Sequence, residues 1–548
     1  MTAPHPLTRP WPSGSEAQRI TALPVRATQP DPGAYTRTGS AAQLRPVQAE
    51  VLGELARVGG CVGIVGVGFG KTLIAALAPR AAGVPGPRAL LLVPSPLLAS
   101  SFAAEVEAKG ADGFEIDPPR VLTYTQLSRA DGAALLREAD PDLLILDEAH
   151  YVRRRQSART RRLLTFLRAR HKAGRPVKIL ALSGTLLAAS QLDLTHLFQW
   201  ALGCLSPVPV TWQVAEQWAR VLDPTPPQGI PPDAFDYAAI RPVCEWAGVT
   251  DPRVAFEQRL STAPGVVRAR GASCDASLYL TPWRPALPPA LSVAIERVEL
   301  TWERPDGWLC LDRLEVHRTV RQLTQGFFYR WIWPNGEPDL EWLAARSEWG
   351  SALRAFTKRG GEGLDTEGLV TAAMRRHPHR FPRSLTEAWG AWCAVRDNYT
   401  PDVETVWLDD SILRAAARHP DAPLIWYAHT ATADALEGLG VEVVRPGVTP
   451  TGPRRQLAVS VQSHGTGLNL QGWCNNLVLC PPPGPAQLEQ LIGRTHRAGQ
   501  DDDVTVALAQ HAPFLRGQWR ETTRRAAILA TTTGQPFRIA PGNHTWIS

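Results

Sequence analysis

The chain has 548 residues, 44% apolar and 20% charged, an ordinary globular balance that excludes bulk disorder. At roughly 150 residues per domain, the length predicts three or four domains, or two large ones carrying insertions. The formal charge of +6 and a pI near 9.0 permit a polyanionic partner without demanding one.

Residues 1–40 read as a flexible or loosely docked arm, with seven prolines in the first 32 positions. From Gln43 to about residue 205, short apolar runs alternate with helical stretches. Cys61–Val65, Ala89–Val93, Leu143–Leu146 and Ile179–Leu182 read as buried parallel strands. Thr72–Ala82, Leu97–Lys109 and Arg159–Arg170 read as helices between them, which predicts a doubly wound α/β domain over 41–205. Five prolines between 224 and 232 mark a linker, and 206–290 reads as an insertion of mixed content. A second α/β pattern covers 291–512, with strands at Leu424–Tyr427, Leu457–Val461, Leu477–Leu479 and Val504–Val506; 513–548 is left as a C-terminal extension. The longest clear apolar run, Ala89–Val93, has five residues, far short of the ~18–20 that cross a bilayer. The start of the chain shows no charged-then-apolar signal segment. The eight cysteines form no CxxC pair and no Cys/His cluster. The expected setting is therefore a reducing cytoplasm without a membrane partner.

Val65-Gly66-Val67-Gly68-Phe69-Gly70-Lys71-Thr72 follows a predicted strand and opens a predicted helix. Gly66, Gly68 and Gly70 let the backbone wrap around phosphates, and the helix N-terminus adds a favourable dipole. Lys71 would reach the β- and γ-phosphates of ATP, and the Thr72 hydroxyl would ligate Mg²⁺. Lysine is scarce here: Lys71, Lys109, Lys172, Lys178 and Lys358 are the five among 58 basic residues, so a lysine in this loop has a chemical reason. Asp147-Glu148-Ala149-His150 ends the predicted strand Leu143–Leu146, at the edge where open α/β sheets bind ligands. Asp147 can hold the Mg²⁺ shell, and Glu148 can polarise an attacking water.

In this order and spacing the chain resembles superfamily 2 helicases and translocases, most closely the Snf-type group and its compact phage and bacterial relatives, over residues 41–205 and 310–510. The resemblance implies two RecA-like lobes and an ATPase stimulated by nucleic acid. Leu44–Gln48 is similar to the segment whose glutamine, here Gln48, recognises adenine. Pro94 and Ser95, and then Thr123, resemble strand ends that contact nucleic acid. Ser183 and Thr185 of Leu182-Ser183-Gly184-Thr185 resemble the segment that couples ATP state to lobe geometry, a role shared with His150. Ser463–Gln471, with Thr466 and Gly467, resembles a segment facing both nucleotide and nucleic acid. Gln490, Arg494 and Arg497 resemble the arginine-finger motif; their spacing is read as two arginines on one helix face of the second lobe. Guanidinium suits a γ-phosphate because its planar fork makes bidentate contacts.

Arg321–Gly326 is similar to the helix preceding lobe 2, whereas Arg454-Arg455 matches the family too loosely for assignment. Phe327–Trp333 has five aromatics in seven residues; packing is favoured over base stacking. The expected function is an ATP-dependent translocase or helicase on duplex DNA in replication, recombination or repair. An RNA helicase of the same superfamily and a motor subunit of a restriction or defence complex stay open beside it.

Overall fold

The computed structural model describes residues 14–546 apart from 28, 30, 67, 130, 185–189, 270–273, 311, 335, 359–363, 365–366, 399–401, 422, 446–447, 449, 451–455, 466–467 and 543. Two compact units divide the chain, and neither is continuous in sequence. The first comprises Met1–Asp275, Gly484–Gln500 and Thr522–His544; the second comprises Ala276–Pro483, Asp501–Glu521 and Thr545–Ser548.

Six strands build the first unit's sheet: β1 (Cys61–Ile64), β2 (Ala89–Val93), β3 (Arg120–Thr123), β4 (Leu143–Asp147), β5 (Lys178–Ser183) and β6 (Val266–Arg268). Their order is β3-β2-β4-β5-β1-β6 and every pairing is parallel. Helices on both faces keep water from β1, β2, β4 and β5, so these strands are nearly continuous apolar runs. Leu52, Leu55, Ile74, Leu77, Leu91, Ile145 and Leu180 form the core between sheet and helices. One strand, β5, lies between β1 and β4. Ile64 pairs with Ser183 and Asp147 with Leu182, so the carboxyl ends of the three strands lie side by side.

One expectation is narrowed here and another corrected. From residue 14 onward the N-terminal arm is docked. Ser15 caps the helix Glu16–Thr21, Ile20 is fully buried, and Arg19 donates to the carbonyls of Cys204, Ser206 and Val208. Residues 1–13 lie outside the described residues. The segment 206–290 is also not a separate insertion. Its helices Trp212–Leu222, Ala234–Ala247 and Pro252–Thr262 lead into β6, which pairs with β1, and it divides between the units after Asp275.

In the second unit, β7 (Leu278–Trp283) is followed by the antiparallel pair β8 (Phe327–Ile332) and β9 (Asp402–Trp407). Then come β10 (Leu424–Tyr427), β11 (Glu442–Val444), β12 (Leu457–Ser460), β13 (Asn475–Val478), β14 (Val504–Ala509) and β15 (Thr545–Trp546). Among the described residues these form a seven-stranded parallel sheet, β11-β12-β10-β13-β14-β7-β15, with β8 and β9 apart. Phe327 and Phe328 of the aromatic run are buried, and Trp331 and Trp333 pack edge-on against Trp342, in keeping with the packing reading. No described helix is long and apolar enough to cross a membrane.

Candidate functional site

The loop after β1 enters the helix Lys71–Ala82 through Gly70, whose φ of +75° is left-handed. A Cβ there would lie 2.4 Å from Gln48 Nε2, so the loop closes against a glutamine from the preceding helix, Pro46–Val58. Gln48 Nε2 donates to the carbonyls of Phe69 (3.2 Å) and Gly70 (3.3 Å), and its Oε1 accepts from the Arg45 N–H at 2.8 Å. Arg45 Nη1 donates to the Gly68 carbonyl at 2.7 Å. Gln48 therefore braces the loop from beneath, a structural task beyond the expected adenine recognition.

Glu148 follows β4 with φ +51°, a left-handed conformation that costs a non-glycine residue about 1–2 kcal/mol. The turn aims its carboxylate back at the loop. Lys71 Nζ lies 2.6 Å from Glu148 Oε1 and 3.4 Å from the Val65 carbonyl. Ser183 Oγ donates to Glu148 Oε2 at 3.2 Å, and His150 Nδ1 lies 3.2 Å from that same oxygen and from Ser183 Oγ. Burial alone would raise the Glu148 carboxyl, but the Lys71 ammonium and His150 outweigh it and hold it well below the usual range. Asp147 is driven the other way, first by burial and then by the neighbouring Glu148 charge. Its carbonyl accepts from Tyr124 OH at 2.8 Å, whereas its buried Oδ1 has no hydrogen-bond partner.

A buried, unpartnered carboxylate oxygen of this kind is what a divalent cation would satisfy. Among the described residues no group of three or more His, Cys, Asp or Glu is arranged for a metal. Mg²⁺, by contrast, takes as few as one or two protein oxygens and completes its shell with water and phosphate.

The strand-end residues have local work. Pro94 is buried, Ser95 caps the helix Pro96–Ala111 by accepting from the Leu98 N–H, and buried Thr123 caps the helix Tyr124–Ser128 by accepting from the Gln126 N–H. Thr185, Thr466, Gly467, Arg454 and Arg455 lie outside the described residues.

The arginine motif differs from expectation in two ways. Helix Pro485–Ile492 ends at Gly493, so Arg494 and Arg497 lie in the turns that follow, not on a helix face. The turn is closed by bonds from the Arg494, Thr495 and His496 N–H groups to Leu491 and Ile492 carbonyls. Gly493, with Thr495 and His496 just beyond it, has low helix propensity, so the helix closes at Ile492, before the first arginine. In addition, Gly484–Gln500 belongs to the unit that carries Lys71, not to the second. Arg494 is 7% exposed, and its Nε donates to the Gln490 carbonyl at 3.2 Å. Burial and then Arg497 bring its guanidinium down to about 10, opposed by the charges of Glu148 and Asp147.

Two residues of the site escaped sequence reading. Arg538 holds the arginine turn: it ion-pairs with Glu489, donates from Nε to His496 Nδ1 at 3.0 Å and from Nη2 to the His496 carbonyl at 3.0 Å. Tyr124 stacks on Tyr151 with ring centroids 5.3 Å apart while holding the Asp147 carbonyl. Nothing in the sequence signals either one, because both act through packing between distant segments. No protein-family model matches the chain, and no curated protein matches it.

Proposed function

We propose that this chain is an ATP-dependent nucleic-acid translocase or helicase that acts on duplex DNA. The reading rests above all on the convergence of Lys71, Glu148, Asp147 and Ser183 at one sheet edge, beside a glycine-rich turn that opens a helix. Arg494, electrostatically coupled to both carboxylates, supports it. The nucleic-acid half rests on the ordered series of sequence motifs and on the basic charge.

In this mechanism Lys71 serves two partners in turn. Without nucleotide it neutralises Glu148. A γ-phosphate draws the ammonium away, and the Glu148 carboxylate is released to orient and deprotonate water, with its basicity restored. Ser183 and His150 touch that carboxylate and so register the exchange. Mg²⁺, which Asp147 and Thr72 would hold, would supply charge neutralisation at the phosphate. Arg494 and Arg497 stabilise charge that develops on the transferring group, an effect worth roughly 10³–10⁵ in rate where arginine fingers act.

The test compares ATP turnover with no nucleic acid, duplex DNA, single-stranded DNA and duplex RNA, for the parent, Lys71→Ala and Glu148→Gln. The parent should be stimulated most by duplex DNA. Lys71→Ala should abolish turnover with the fold intact, and Glu148→Gln should bind ATP and stall. Near-normal turnover in Lys71→Ala removes the nucleotide site. Indifference to every nucleic acid removes the motor, and stimulation by RNA alone replaces duplex DNA with RNA.

A further inference from the structure

Between β8 and β9 the chain forms three helices, Leu340–Lys358, Glu367–Arg376 and Arg383–Val395. The second and third meet at a knuckle, Arg375-Arg376-His377-Pro378-His379-Arg380-Phe381-Pro382-Arg383. From Glu367 to Glu387 there is no other acidic residue, while four arginines and two histidines lie between them, all exposed. Below the knuckle, Met374 and Leu385 are buried with Trp349 and Val370, and Phe381 packs on Phe356 with centroids 5.5 Å apart. Two prolines further restrict the backbone, so the charges sit on a fixed turn.

Helix electrostatics account for only part of this. Arg375 and Arg376 complement the C-terminal dipole of their helix. Arg383, by contrast, opens the next helix, where a cation is unfavourable, and its 2.7 Å pairing with Glu387 is solvent-exposed. Arg380 belongs to neither helix. Arg375, Arg376 and Arg380 make no side-chain ion pair among the described residues. Three exposed arginines with no ion pair among the described residues repel one another, and a polyanion relieves that repulsion.

We infer that this knuckle grips the phosphate backbone of a nucleic-acid duplex. The inference rests on the motor reading above and adds the surface that would hold the track. Planar guanidinium groups match phosphate oxygens bidentately, and each contact releases condensed counterions. A lipid surface fits less well: between Glu367 and Arg396 no large apolar side chain is exposed to enter a bilayer.

The experiment titrates a mixed-sequence DNA duplex, across a salt series, with the parent chain and with the triple variant Arg375→Ala, Arg376→Ala, Arg380→Ala. A control removes three arginines that are paired with acids, Arg297, Arg414 and Arg445. The knuckle variant should bind more weakly. Its log-affinity against log-salt slope should fall by about 1 per arginine, up to about 3 in all, with basal ATP turnover unchanged. The control should bind like the parent. Equal binding by parent and knuckle variant overturns the inference, as does an equal loss in the control, or a parent that binds anionic phospholipid vesicles but no duplex. Knuckle-dependent binding without stimulation of ATP turnover in the parent would remove the motor and leave the surface standing. Stimulation equal in parent and knuckle variant, with equal binding, would do the reverse.

Discussion

Asp223 and Asp193 show how a single burial decides a residue's protonation. Asp223 accepts from the Gln191 N–H at 2.7 Å, yet burial, with Asp193 nearby adding to it, raises its carboxyl to about 7. Burial likewise raises Asp193 to about 6, against the pull of Arg153 and Arg154. A carboxyl raised in the folded state binds its proton more tightly there than in the unfolded chain. The folded state therefore loses stability as pH rises from about 4, where the unfolded carboxyl ionises, to about 7, and stays level above that. Asp223→Asn keeps an acceptor for Gln191 and removes the ionisation. The variant should gain stability relative to the parent progressively between pH 4 and 7, read as the difference in urea midpoint at each pH. A difference independent of pH would show that Asp223 titrates normally.

Elements carry the next level of constraint. The loop after β5 passes so close to the phosphate loop that a Cβ on Gly184 would lie 2.8 Å from Gly66 Cα and 3.1 Å from the Val65 carbonyl. Backbone cannot yield as a side-chain end can. Gly184→Ala should therefore displace the phosphate loop and weaken ATP binding by about tenfold or more, the cost of losing roughly 1.4 kcal/mol of fit. Gly110→Ala, in a helix with open space around it, should bind as the parent does and gain up to about 1 kcal/mol in stability. Titration with a fluorescent nucleotide analogue separates the two.

The same scale explains what the sequence revealed. Strands buried on both faces, such as Leu143–Leu146, announce themselves as unbroken apolar runs. The glycine-rich loop before Lys71 and the Asp147-Glu148 pair are legible because each lies in contiguous residues. β6, β11 and β15 were missed because two or three residues make no pattern. β7 was missed because Pro282 argues against a strand. Arg494 and Arg497 were singled out by resemblance, and their backbone was misread because their three-residue spacing also fits a helix.

At the scale of the whole molecule, the first unit takes its parts from three separated stretches, and its site depends on the last of them. Residues 522–548 carry no recognisable motif, yet Arg538 within them pins Glu489 and His496 around Arg494. Arg538→Ala should cut ATP turnover with smaller change in nucleotide affinity, because on the reading proposed above the arginines it supports would act on the transition state. Removing 522–548 should abolish turnover, whereas a tail of no importance would leave the rate unchanged in steady-state assays of both variants.

This division of the first unit has a consequence during synthesis. The ribosome delivers Lys71 early, and Arg538 follows 467 residues later. At ~5–20 residues per second, that interval lasts roughly half a minute to a minute and a half. Throughout it the nascent chain holds a phosphate loop whose arginine turn, and then its clamp, have yet to emerge. In the folded chain Lys71 and Glu148 pair with each other. On the reading proposed above, the growing chain would hydrolyse no ATP until these distant pieces arrive.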